Sequence, residues 1–244
     1  MRRLGRILCT LILIVGMMAM PVNAASPTRP ADTTYQTLPF AQNWTNTSLI
    51  TTNDDWSGVA GITGYRGDNL TGATGVDPQT LLADDTAPVI DVNANQTNPD
   101  TFTTGGVAEF ELTDAVVALN GSGTADAPYL LIYLNTTGYQ DIAVSYLLRD
   151  LDGSVDNAIQ PVALHYRVGT SGSFTNVPEA YVADATTGPN LAILTTPVNV
   201  TLPAAVNNQS QVQLRIMTAN AVGNDEWVGI DDIAITGTAS GTGA

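Results

Sequence analysis

The sequence predicts an all-β protein, a jelly-roll β-sandwich of two antiparallel sheets, on three observations. Apolar residues recur every second position along several segments, as in strands with one buried face. Residues 129–134 (YLLIYL) are apolar throughout, as in a central strand covered on both sides. Clusters of Gly, Pro, Asn, Asp and Thr punctuate these runs, and no stretch carries a convincing helical period. Taken in order, Ala108, Phe110 and Leu112 alternate with Glu109 and Glu111. Ile142, Val144, Tyr146 and Leu148 alternate with Asp141, Ala143, Ser145, Leu147 and Arg149. Val162, Leu164, Tyr166 and Val168 alternate with Ala163, His165 and Arg167, and Val212, Leu214 and Ile216 with Gln211, Gln213 and Arg215. In the last run, Trp227 to Thr236, Val228 and Ile230 share one parity while Ile233 and Ile235 take the other. A β-bulge at Asp231-Asp232 accounts for that switch. Residues 46–104 are rich in Thr, Asn, Asp and Gly, which predicts long loops ordered by a metal ion or by packing of Trp44 and Trp56.

The ends of the chain read differently. Arg2, Arg3 and Arg6 precede an apolar run from Ile7 to Met20, and Val22 and Ala24 are small residues at the −3 and −1 positions of a cleavage site. Residues 1–24 are therefore expected to be a secretory signal, the run being shorter than the ~20 residues that span a bilayer. Residues 25–34 read as a linker, 35–237 as the sandwich and 238–244 as a flexible Gly/Thr/Ser tail. No membrane span is expected after cleavage, and the expected location is outside the cell.

Charge and composition remove several functions. The 244 residues carry 23 acidic groups against 8 basic ones, all Arg, for a net charge of −15. Loss of residues 1–24 takes three Arg and leaves 220 residues at −18. Nucleic-acid binding through a basic surface is excluded, and without Lys so are Schiff-base chemistry and a Walker-type phosphate loop. Cleavage also removes Cys9, the one thiol, and with it cysteine nucleophiles and zinc–thiolate sites. At 44% apolar and 13% charged residues, the chain can build a core and is not a disordered acidic tail.

The stretch from Gln160, QPVALHYRVGTSGSFTNVPEAYVADATTG, and the closing VQLRIMTANAVGNDEWVGIDDIAITG resemble the jelly-roll modules of secreted bacterial multidomain proteins. Such modules stand beside extracellular nucleases of the endonuclease/exonuclease/phosphatase type, and the closing GIDDI also resembles MAM-like and carbohydrate-binding sandwiches. Asn53 to Gly72 (NDDWSGVAGITGYRGDNLTG) fits the amino-terminal region of the same module. The resemblance implies a non-catalytic accessory domain, bound calcium being common in such sandwiches, and transfers no nuclease activity. A carbohydrate-binding module, and a fragment of a secreted hydrolase whose catalytic domain lies elsewhere, are the alternatives it leaves open.

Candidate site residues fall into four groups. Asp231 and Asp232 at the predicted bulge, with Asp225 and Glu226 upstream, are oxygen donors suited to Ca²⁺, or else an acidic strand end facing water. Asp150, Asp152 and Asp156 alternate around Gly153 like part of a calcium loop, although Pro161 stands where an EF-hand requires Glu and no helices flank it, so a plain turn between two strands is the favoured reading. Arg149, Arg167 and Arg215 share the polar parity of their strands, with His165 beside Arg167. They form either one face that binds carboxylates, phosphates or sugar hydroxyls, or cross-strand pairs with Asp141, Glu109 and Glu111. Trp56 and Trp227, with Trp44 and Tyr65, could form an aromatic platform for sugars or serve as core anchors. Catalysis finds little support. His165 is the single His, no G-x-S-x-G elbow occurs, and Glu109 and Glu111 sit on one strand, where exposed glutamates are expected. The expected partner is a polysaccharide or another surface protein.

Overall fold

The computed structural model describes residues 31–153, 158–187 and 194–241. The expected signal segment, most of the linker, Asp156 and the last three residues of the tail lie outside the described residues. The strands, in chain order, are β1 (Gln36–Thr37), β2 (Phe40–Gln42), β3 (Ile62–Tyr65), β4 (Asn93–Gln96), β5 (Gly106–Phe110), β6 (Val116–Asn120) and β7 (Tyr129–Asn135). There follow β8 (Tyr139–Asp150), β9 (Ala163–Val168), β10 (Thr175–Asn176), β11 (Thr195–Thr201), β12 (Val212–Met217) and β13 (Val228–Ala239). Helical structure among the described residues is confined to single 3₁₀ turns, so none of these helices is long and apolar enough to cross a membrane.

Two sheets stack face to face. The first runs β1-β7-β12-β9-β10, with β3 sharing the free edge of β7; the second runs β11-β8-β13-β6-β5-β4, with β2 on β13. From β6 onward the chain changes sheet at almost every connection, so each sheet's inner face is completed by strands that are neighbours in sequence. The inner faces meet in one core. Leu130, Ile132, Leu164, Leu214 and Ile216 come from the first sheet, and Ile142, Tyr146, Leu148, Val228, Ile230, Ile233 and Ile235 from the second. Burying each such side chain contributes roughly 1.5–3 kcal/mol.

The expected bulge is present. Pairing of β13 with β8 slips between Asp231 and Ala234, and Asp232 takes a positive φ of 46°. The slip coincides with a change of partner on the other edge of β13, from β6 at residues 228–230 to β2 at residues 233–235. By re-aiming the strand there, the bulge keeps Ile230, Ile233 and Ile235 all in the core. Trp44 and Trp56 order the long amino-terminal loops edge to face, their ring centroids 6.3 Å apart.

Three expectations need correction. Glu109 is not an exposed glutamate: it is 3% exposed, while Ala108 and Phe110 pack into a satellite cluster with Trp227 and Leu151 on the outer side of the second sheet. Both faces of β5 are covered, which alternation alone does not reveal. The tail begins later than expected, because β13 continues through Ala239. At the other end the linker's last residues are docked, since the Asp32 carbonyl accepts from Gly61 N at 3.1 Å.

Candidate functional site

At one end of the sandwich, the loops after β6, β8 and β12 and those before β7, β9 and β13 come together, because successive antiparallel strands return to the same end. They enclose two depressions. One, of about 440 Å³, is largely apolar and is lined by Val76, Ile159, Pro161, Tyr181, Ala219 and Val222, among others. Ile159 is 66% and Val222 77% exposed, so both stand out from the surface. The second, of about 490 Å³, is polar and acidic; Asn120, Asn220, Asp100, Asp152 and Asp225 line it, with Phe102 and Trp227 in its wall. Asn220 belongs to both. Its backbone is fixed on both sides, N–H to the Asp126 carbonyl at 2.9 Å and carbonyl to Gly75 N at 2.7 Å.

The polar depression sits among carboxylates. Asp150 ends β8 on its inward parity, 4% exposed, and its Oδ1 has no hydrogen-bond partner. Burial, with the charges of Asp152, Asp184 and Asp100 nearby, pushes the Asp150 carboxyl up to about 7. Asp100 Oδ1 accepts from Gly153 N at 2.8 Å, Asp184 Oδ1 from Gln160 N at 3.2 Å, and Asp225 Oδ1 from Gln160 Nε2 at 2.9 Å and Ala221 N at 2.8 Å. These bonds brace the loops against one another.

The structure thus divides the five expected cation ligands. Asp152 and Asp225 line one depression, and Asp150 lies beside them where β8 pairs with the start of β13 at Val228. Asp231 and Asp232 lie farther along β13. The Asp231 carboxylate is engaged by Arg149 Nη1 at 2.6 Å, whereas Asp232 is exposed. Among the described residues, no three Asp, Glu, His or Cys side chains stand close enough together to cage a metal ion on their own.

The arginines do not form one face. Arg149 lies on the second sheet with Asp231 and Asp114, while Arg167, Arg215 and His165 lie on the outer face of the first. That outer face is roofed by loop residues 81–85 and by Phe174. Arg215 donates to the Leu81 and Ala83 carbonyls, Arg167 pairs with Asp84 at 2.6 Å, and Phe174 packs against both guanidiniums at 4.0 and 4.3 Å. The cross-strand partners expected from sequence, Asp141, Glu109 and Glu111, are replaced by groups from this roof for Arg167 and Arg215, and by Asp114 and Asp231 for Arg149. His165 is fully buried and its Nδ1 accepts from Arg215 Nε at 3.2 Å; burial, with that charge beside it, lowers it to about 3, so the ring is neutral. Trp56 and Trp227 are 0% and 1% exposed and donate to the Asp91 and Phe102 carbonyls, so they are core anchors and not a sugar platform.

Asn120, Asn220, Tyr181, Ile159 and Val222 escaped the sequence reading. One signal could have found them. Strand direction alternates along the chain, so the segments after residues 120, 150 and 217 had to share an end.

No protein-family model matches the chain, and no curated protein matches it. Among solved structures it is similar to the K3 cleaved adhesin domain of Lys-gingipain from Porphyromonas gingivalis w83, at 13% identity and a TM-score of 0.41, covering 81% of this chain and 96% of that one. It is also similar to the non-crystalline cellulose-specific carbohydrate-binding module CBM28, at 12% identity and a TM-score of 0.41, over 59% and 88% of the two chains. A third is TmCBM61, solved with β-1,4-galactotriose, at 13% identity and a TM-score of 0.33, over 51% and 72%. Likenesses this distant leave the fold to be read from the two sheets themselves.

Proposed function

We propose that this protein is an exported, non-catalytic binding module that takes a polysaccharide at the loop-built end of its sandwich. One observation carries the reading: an apolar depression flanked by protruding Ile159 and Val222 adjoins a polar one lined by side-chain amides and carboxylates. A pyranose offers an apolar C–H face and a rim of hydroxyls, and such a paired lining can receive both. The burial of His165 supports a binding role over a catalytic one, since the single imidazole is neutral and its Nδ1 is held by Arg215.

The test is a glycan array probed with the mature chain, followed by titration of the strongest ligand. Ile159→Ser and Tyr181→Ala, at the rim of the apolar depression, should each weaken binding about tenfold, roughly the loss of 1.4 kcal/mol of contact. Melting temperatures should stay near that of the parent. An array without binders, or unchanged affinity in both variants, would remove the reading.

A further inference from the structure

We infer that the free edge of β11 is the surface through which a second copy of this chain would pair, and that Pro197 keeps it closed. The inference is independent of what the loop-built end binds.

The outlying strands of the two sheets differ in how much backbone they leave unpaired. β1, β2 and β10 are two or three residues long. β3 is covered by residues 89–91, Arg66 N donating to the Val89 carbonyl and Asp91 N to the Gly64 carbonyl, both at 3.1 Å. β4 pairs irregularly, with a register slip between Asn93 and Gln96 and a φ of 56° at Asn95. β11 is different. It runs seven residues in unbroken register along β8, and among the described residues no strand lies on its other side. Its sequence, TTPVNVT, is uncharged and rich in β-branched residues, which suits it to receive a further strand.

The phase of the hydrogen bonds sets what that edge offers. The Leu194 carbonyl accepts from Asp150 N at 3.0 Å, and Leu202 N donates to the Ile142 carbonyl at 2.8 Å. Even-numbered residues from 194 to 202 therefore turn their N–H and C=O towards β8, and Thr195, Pro197, Asn199 and Thr201 turn theirs away. Proline has no N–H to give. At 197 it costs the β8 ladder nothing and removes a donor from the middle of the outward row. Two copies joined antiparallel about a two-fold axis would match Thr195 with Thr201 and Pro197 with Asn199. Each Asn199 carbonyl would then face a pyrrolidine ring in place of a donor, at the centre of the new ladder. Sliding the register by two residues still brings Pro197 into the pairing. A proline so placed discourages strand addition while leaving the sheet it belongs to intact.

Sedimentation velocity of the mature protein tests the assignment, run from micromolar to submillimolar concentration in salt that screens the net negative charge. The parent should sediment as a monomer. Pro197→Thr restores the donor; it should melt within a few degrees of the parent and dimerise at least about tenfold more tightly. Hydrogen exchange in that variant should slow with concentration at the Thr195, Asn199 and Thr201 amides, which face the new partner. Pro197→Thr/Asn199→Pro moves the missing donor to another outward position and should return to the monomer. Pro203→Thr, outside the strand, should behave as the parent does. A Pro197→Thr variant that stays monomeric throughout would overturn the inference. So would a double variant or Pro203→Thr that associates as strongly as Pro197→Thr, or a parent that already dimerises with those three amides protected. Should Pro197→Thr fail to fold, Pro197→Ala restores the same N–H and carries the same expectation.

Discussion

Arg215 shows what the outer face of the first sheet is for. It is fully buried, and its hydrogen bonds go to the Leu81 and Ala83 carbonyls and to His165 Nδ1. With Arg167, which reaches Gln213 Oε1 at 2.6 Å, the Gly172 carbonyl at 2.9 Å and Asp84, it ties the 81–85 loop and the Phe174 turn onto the strands. A guanidinium suits the task, since its fork serves several acceptors at once and its flat faces stack on an aromatic ring. Parity in the sequence correctly grouped Arg167, Arg215 and His165 on one face. It could not say that the face is covered, because the 81–85 loop that covers it together with Phe174 lies eighty or more residues earlier in the chain. A consequence follows for His165. Its folded pKa of about 3 lies below the usual 6.5, so it contributes stability above pH 6.5 that is lost as pH falls towards 3. Its imidazole NMR shifts should therefore stay flat from pH 8 to 4.5; a midpoint near 6.5 would show that the ring is open to solvent.

At the scale of the element, the strands most legible in sequence were those with a clean hydrophobic period: β7, β8, β9, β12 and β13 all fall within about three residues of their expected positions. The bulge in β13 was legible for the same reason, since a reversal of parity inside one strand requires an extra residue in its pairing. Elements defined by close approach were not. β3 is a short strand in the loop-rich third, and it passes under Trp56 because Gly64 has no side chain. A Cβ there would stand 2.5 Å from Trp56 Cζ2 and 2.9 Å from the Asp91 carbonyl, the group that Trp56 Nε1 donates to at 3.0 Å. Gly64→Ala should accordingly cost about 1–3 kcal/mol in urea unfolding, as overpacked cores do, and shift Trp fluorescence to the red as the indole is displaced. An unchanged midpoint and spectrum would show that β3 has slack.

For the whole molecule, negative charge sets how stability responds to acid. Burial raises Glu109 to about 7 and Asp91 to about 6. Both folded values lie above the unfolded ones, so the stability they contribute is fully present below about pH 4 and is lost as pH rises to 7. His165 acts in the opposite sense below 6.5 with a single proton, and the two carboxyls outweigh it. Glu109→Gln should thus be more stable than the parent at pH 8, by roughly 3 kcal/mol at about 1.4 kcal/mol per pKa unit, with the advantage gone at pH 4. Equal urea midpoints at pH 8 would contradict the burial of that charge. By itself the sequence determined the all-β class, the main strands and their buried faces, the bulge, and a charge balance hostile to polyanions. Each of these is a property of composition or of neighbours along the chain. Only the tertiary structure decided that the outer arginines are roofed, that Trp56 and Trp227 are anchors, and that Asp150 and Asp152 meet Asp100, Asp184 and Asp225 at one end. Those facts depend on which distant loops share a space, and a pattern of period two carries no information about distance across the fold.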